Sequence, residues 1–166
     1  MGANLTLAMA ITEMDEVFRP ERPQYELLCL ANHVEVQNGL LYISGGGWTE
    51  HRRVPKRPDG QPTGSRLGIA VIVKIPWNET NRPQHFKIEV QAMDATSSLA
   101  KLEGDLNTGR PPNLTPGSVQ YFSLAAMLDV VFPEAGSYVL RGSLNDDPGS
   151  LKTWEFRVYD LPMPVN

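Results

Sequence analysis

A chain of 166 residues with 41% hydrophobic side chains can bury a domain core, which excludes disorder as the starting expectation. Its 14 glycines and 14 prolines suit a protein of many turns better than one of long helices. A net charge of −4 and a pI near 5.4 argue against a general nucleic-acid binder.

The first stretch, residues 3–18, carries Leu5, Leu7, Met9, Ile11, Met14, Val17 and Phe18. Its early spacing reads as a strand and its later spacing as a short helix, so both readings stay open. Asn4, Thr6, Thr12 and Glu13 interrupt the apolar residues, which disfavours a signal peptide or a membrane span and makes the cytoplasm the expected location. Without a secretory signal, the three Asn-x-Thr sequences at Asn4, Asn78 and Asn113 read as coincidences, not glycosylation sites. The prolines in Arg19-Pro20-Glu21-Arg22-Pro23 then punctuate the chain, so residues 1–23 read as an amino-terminal segment and linker.

The main domain is expected over residues 24–160. Tyr25 to Val36 is largely apolar, Gln37-Asn38-Gly39 signals a tight turn, and Leu40-Leu41-Tyr42-Ile43 resumes the apolar run; together they predict a hairpin. Cys29, the only cysteine, lies in this run and reads as a buried, inert thiol. Ser44-Gly45-Gly46-Gly47-Trp48 permits a bulge or sharp bend but matches neither a phosphate loop nor a dinucleotide fingerprint.

Residues 51–66 read as an exposed basic loop, with Arg52, Arg53, Lys56, Arg57 and Arg66 among three prolines and two glycines. Leu67 to Ile75 is the strongest strand, with Ile69, Val71, Val73 and Ile75 on one face. Phe86, Ile88 and Val90 alternate with polar residues in the next strand, and a short strand is predicted over 98–106. After a loop at 107–117, strands follow from Val119 to Ala126, continuing near 129–132, and from Tyr138 to Leu144. Asn145 to Ser150 reads as a hairpin-like connection. In the last strand, Leu151 to Val158, Trp154, Phe156 and Val158 share one face, and 161–166 form a short tail. Seven or eight short strands without a long helical pattern predict an all-β fold, a two-layer antiparallel β-sandwich or related barrel.

Phe132-Pro133-Glu134-Ala135-Gly136-Ser137-Tyr138-Val139-Leu140 resembles the lead-in to a late strand found in many bacterial immunoglobulin-like domains. With Leu27-Leu28-Cys29-Leu30-Ala31, the segment Gly39 to Gly46 and the strand at 67–75, the order of the chain resembles the uncharacterised bacterial DUF6941 family over roughly residues 24–159. The resemblance implies an all-β, immunoglobulin-like sandwich and brings no activity or catalytic residues. The basic loop is longer and more charged than the family pattern.

Arg52, Arg53, Lys56, Arg57 and Arg66, with Trp48 as an apolar anchor beside them, are the interaction candidates, because forked guanidinium contacts and an aromatic suit acidic partners. The simpler reading is a solvated loop that aids solubility. His33, His51 and His85 are too scattered to imply a metal site, and Asn145-Asp146-Asp147 reads as turn chemistry before it reads as a calcium loop. Trp77, Trp154, Tyr121 and Phe122 form either core or a carbohydrate-stacking face. No catalytic residue, cofactor or metal is expected. The leading expectation is a non-enzymatic interaction or accessory protein that meets a protein partner, or forms a homo-oligomer, through the loop or a sheet edge. A small-molecule or glycan-binding module and a small hydrolase or isomerase are the alternatives.

Overall fold

The computed structural model describes residues 21–54, 61 and 63–162. Most of the expected amino-terminal segment, Lys56, Arg57 and the end of the tail lie outside the described residues. The strands are β1 (Gln24–Gln37), β2 (Leu40–Gly46), β3 (Glu50–Arg53), β4 (Ser65–Pro76), β5 (Gln84–Ala92), β6 (Ser98–Leu106), β7 (Val119–Val130), β8 (Gly136–Leu144) and β9 (Asp147–Asp160). One turn of 3-10 helix, Trp77–Glu79, links β4 to β5. The protein is all-β, with a four-stranded sheet ordered β2-β1-β4-β7 and a five-stranded sheet ordered β3-β9-β8-β5-β6.

The alternation in the sequence decides which side chains are buried. Ile69, Val71, Val73 and Ile75 of β4 enter a cluster with Phe86, Ile88 and Val90 of β5 and with Phe156 and Val158 of β9. The cluster therefore draws on both sheets. A smaller cluster joins Cys29, Ala31, Val34 and Ala70, with Leu41 and Met127 packed against it. Cys29 is buried, and that burial pushes its thiol pKa up, so it is a poor nucleophile.

The turns after β1 and β8 use residues that tolerate a left-handed backbone. Asn38 and Gly39 have φ of 52° and 78°, and Asn145 and Asp146 have φ of 55° and 52°. Positive φ at both central residues marks the two-residue turn whose twist matches that of its strands. The connection after β8 is thus only two residues, shorter than the expected 145–150 stretch, and Asp147 already belongs to β9. Side chains hold it in place: Asn145 accepts a bond from the His85 backbone N–H and donates to Gln84 Oε1 at 2.6 Å. Buried Ser150 donates from Oγ to the Leu144 carbonyl and accepts from the Leu144 N–H.

Three further expectations change. Nine strands are present among the described residues, against seven or eight expected. Residues 119–130 form one strand, because β7 pairs continuously along the whole of β4 from Val119 opposite Pro76 to Val130 opposite Ser65. The start of the basic loop is β3, which runs parallel to β9 from Glu50 opposite Arg157 to Arg53 opposite Asp160. The fold is therefore not wholly antiparallel. Glu-His-Arg-Arg shows no apolar alternation, so its strand state comes from a partner about a hundred residues away and not from local propensity.

Candidate interaction surface

The sequence placed the candidate residues near one another, but the fold gives them different tasks. Trp48 packs inward. Its ring lies 5.5 Å from His51 in a stacked pose and meets Phe156 edge-on at 5.8 Å. Its backbone carbonyl accepts the indole N–H of Trp154 at 3.1 Å. Strand alternation then sends Arg52 and Arg53 to opposite sides. Arg52 is exposed and lines a surface depression of about 410 Å³ with Glu50, Tyr159, Asp160 and Pro162.

Arg53 is only 8% exposed. Its Nε donates to Asp160 Oδ1 at 2.6 Å, and its Nη1 donates to the buried Phe132 carbonyl. A guanidinium committed in this way ties β3 to β9 and to the start of the Phe132 turn, which corrects its expected place in an exposed basic patch. Arg66 is exposed at the start of β4, opposite Asp129 in register. Lys56 and Arg57 lie outside the described residues.

The other candidates separate as well. Trp154 and Phe122 pack against the main core, Trp77 lies under the Arg110 guanidinium at 4.1 Å, and Tyr121 is exposed. These four rings form no common stacking face. His85 meets Asp105 at 3.0 Å, while His51 lies against Trp48 and Phe132. Asp147 is engaged by the Gly149 N–H and by Arg22, which together hold its carboxyl below the usual range. Among the described residues, no three His, Cys, Asp or Glu side chains are grouped to hold a metal ion. No helix among them is long and apolar enough to cross a membrane.

His51 makes one property of this region measurable. Its ring is partly buried, its Nε2 is buried without a hydrogen-bond partner, and burial lowers its pKa below the ordinary value. Below about pH 6.5 the unfolded chain takes up a proton that the folded chain resists. Stability is therefore full above that pH and declines as pH falls toward the lowered folded pKa. The thermal midpoint of the wild type should drop between pH 7.5 and 5.5 by more than that of His51→Phe. Parallel curves for the two proteins would show that His51 carries none of the dependence.

The surface that sequence reading missed lies on the first hairpin. Leu40 is 61% exposed, Tyr42 47%, Ile43 40% and Val36 39%. Among the described residues, β2 ends the four-stranded sheet and pairs with β1 alone. Its sequence, Leu-Leu-Tyr-Ile-Ser-Gly-Gly, contains no charge and no proline. Edge strands are ordinarily blunted by lysine, proline or a covering segment. The apolar run Leu40 to Ile43 reads locally as core, yet four consecutive apolar residues put apolar side chains on both faces of a strand, and here Leu40 and Tyr42 are exposed on one face and Ile43 on the other.

A search of curated proteins finds no match. Solved structures that resemble the chain include a β-glucosidase from Listeria innocua, seen with gluconolactone and with glucose, at 12% and 13% identity and a TM-score of 0.38. The β-glucosidase EmGH1 from Erythrobacter marinus gives 13% identity and a TM-score of 0.33. Each alignment covers 84% of this chain and only 15–16% of the enzyme. A family model described as "Family of unknown function (DUF6941)" matches residues 26–158, a span that holds the β1–β2 hairpin, the Phe132 turn and both sheets, and the chain belongs to that family.

Proposed function

We propose that this is a non-enzymatic interaction domain that takes a polypeptide partner along the free edge of β2, within the cytoplasm of a bacterial cell. The observation that carries the reading is the exposed, uncharged and apolar edge formed by Leu40, Tyr42 and Ile43 with Val36 beside it. Such an edge supplies backbone hydrogen bonds for affinity and alternate side chains for selectivity, which is how strand addition recognises its partners. The unpaired, buried cysteine agrees with a reducing compartment.

The scaffold in this proposal is an immunoglobulin-like sandwich. Supporting it, Tyr138 donates its hydroxyl to the Glu134 carbonyl at 2.7 Å, four residues upstream at the corner before β8. A tyrosine bonded back to a corner carbonyl is a recurrent fastening of that fold. Tyr138 also packs edge-on against Phe132 at 4.8 Å, so the Phe-Pro-Glu and Gly-x-Tyr residues act as one unit.

A photo-crosslinking residue at position 42, expressed in the native cell, tests the function. A polypeptide adduct is expected there, none at exposed Lys152 of β9, and the adduct should persist when residues 54–64 are deleted. If position 42 gives no polypeptide adduct, the edge reading fails. If deleting 54–64 abolishes the adduct, the basic loop and not β2 is the contact.

A further inference from the structure

We infer that the partner of β2 is β2 of a second copy of this chain, laid antiparallel about a twofold axis through Tyr42, so that two four-stranded sheets become one. This inference rests on the reading of β2 as the interaction edge and adds to it the occupant and the register.

The register follows from the turn. A two-residue turn at Asn38 and Gly39 closes Gln37 against Leu40 as a hydrogen-bonded pair. Antiparallel pairs alternate in type, so Glu35–Tyr42 and His33–Ser44 are the next bonded pairs. Leu41 and Ile43 therefore turn their N–H and C=O groups toward the free edge. At one end, regular backbone stops at Gly39, and at the other it stops at Gly45, whose φ is +59°. The regular stretch is thus Leu40 to Ser44, and its centre is Tyr42. With Tyr42 opposite its own counterpart, Leu41 of each copy meets Ile43 of the other. Every outward-facing N–H and C=O of those two residues then gains a partner.

The sequence of β2 also selects a second copy. Self-pairing places each side chain near its symmetry mate, and a charged strand would set like charges opposite one another. Leu40–Gly46 carries no charge, so no like charges on β2 itself are set opposite one another even though the chain is net negative. The apolar side chains are self-complementary as well, since Leu41 faces Ile43 on one side of the joined sheet and Tyr42 faces Tyr42 on the other. A seven-residue strand gives a small interface, so the pair should exchange with monomer as concentration changes.

Sedimentation of the full chain should show mass doubling with rising concentration, and Ile43→Pro, which removes an edge donor, should remain monomeric with an unchanged circular dichroism spectrum. In a Cys29→Ala background, which has no other thiol, Tyr42→Cys should oxidise readily to a covalent dimer. Directly opposed residues of a non-bonded pair lie about 4.5 Å apart between Cα atoms, within the span a disulfide bridges. Leu40→Cys, about 14 Å from its counterpart at four residues' offset, should not. A wild type that stays monomeric up to millimolar concentration overturns the inference, as does a dimer indifferent to Ile43→Pro or equal trapping at positions 40 and 42. If a monomer shows Leu41 and Ile43 amides protected from exchange until residues 1–20 are removed, the occupant is the chain's own amino-terminal segment and self-pairing is overturned. A monomer whose position 42 crosslinks a different polypeptide overturns self-pairing and leaves the interaction reading standing. A monomer without any adduct removes both.

Discussion

Phe156→Ala should cost about 4 kcal/mol of folding stability, in line with the removal of a large buried aromatic side chain. Phe156 is buried on β9 at the point where three other aromatic rings converge. Their centroids lie 5.8 Å (Trp48), 5.9 Å (Phe132) and 5.9 Å (Tyr138) from its own. Two of those rings meet it edge-on and Tyr138 stacks at 26°, so truncation removes both transfer free energy and several oriented contacts. The neighbours come from the connection before β3, the Phe132 turn and β8, and they have no common backbone element on which to collapse into the vacancy. The cost therefore belongs well inside the usual range and not at its lower end. Urea unfolding should show a lower midpoint at an unchanged slope, and Phe156→Leu should recover more than half of the loss. A decrease below about 1 kcal/mol, small against the roughly 3–5 kcal/mol typical of such truncations, would mean that the cluster does not pack as described.

Arg53→Ala should cost about 3 kcal/mol, and the reason is not chiefly the ion pair. Asp160 is 47% exposed, so water screens its attraction to Arg53, and Asp160→Asn should cost only about 1 kcal/mol. The larger consequence is at the buried Phe132 carbonyl, which Arg53 Nη1 satisfies and which its loss leaves unpaired. A buried acceptor without a partner costs about 1–3 kcal/mol, to which the lost packing of the arginine stem adds. Arg53→Met separates the two contributions, because it restores the stem without the donor and should recover less than half. Hydrogen exchange locates the effect. The Arg157 and Leu161 amides, which donate to the Thr49 and Arg53 carbonyls, should exchange faster in Arg53→Ala than those of β4. Uniform exchange in all strands, or equal costs for Arg53→Ala and Asp160→Asn, would contradict this division.

Together, these two substitutions distinguish scaffold from surface. Neither Phe156 nor Arg53 lies on β2, so partly destabilised variants that still fold should keep the self-association of the wild type. The converse holds for Ile43→Pro, which removes an outward donor from a strand that, among the described residues, is bonded only to β1.

The strands whose side chains alternate were legible because burial on one face imposes a period of two. β4 carries Ile69, Val71, Val73 and Ile75 to the core as their spacing predicts, and β5 carries Phe86, Ile88 and Val90. Asn38-Gly39 was legible for a different reason, since few residue pairs accept positive φ at two successive positions. The burial of Cys29 followed from its apolar neighbours. These features depend on residues close together in the chain.

The candidate site was much less legible. Arg52 and Arg53 are neighbours of the same chemistry, yet one is exposed and the other is buried against Asp160 and the Phe132 carbonyl. The division exists only because β9 supplies a parallel edge on which Glu50–Arg53 becomes a strand. Likewise, Leu40 to Ile43 has the composition of core, and its place at the end of the sheet order leaves it uncovered by the other described strands. Local sequence determined the all-β character, the principal core strands and one hairpin turn, because backbone preference and side-chain period act over a few residues. The tertiary structure alone decided which basic residue became a fastening and which apolar strand stands at the end of a sheet. Those outcomes turn on partners remote in sequence, whose positions no local pattern encodes.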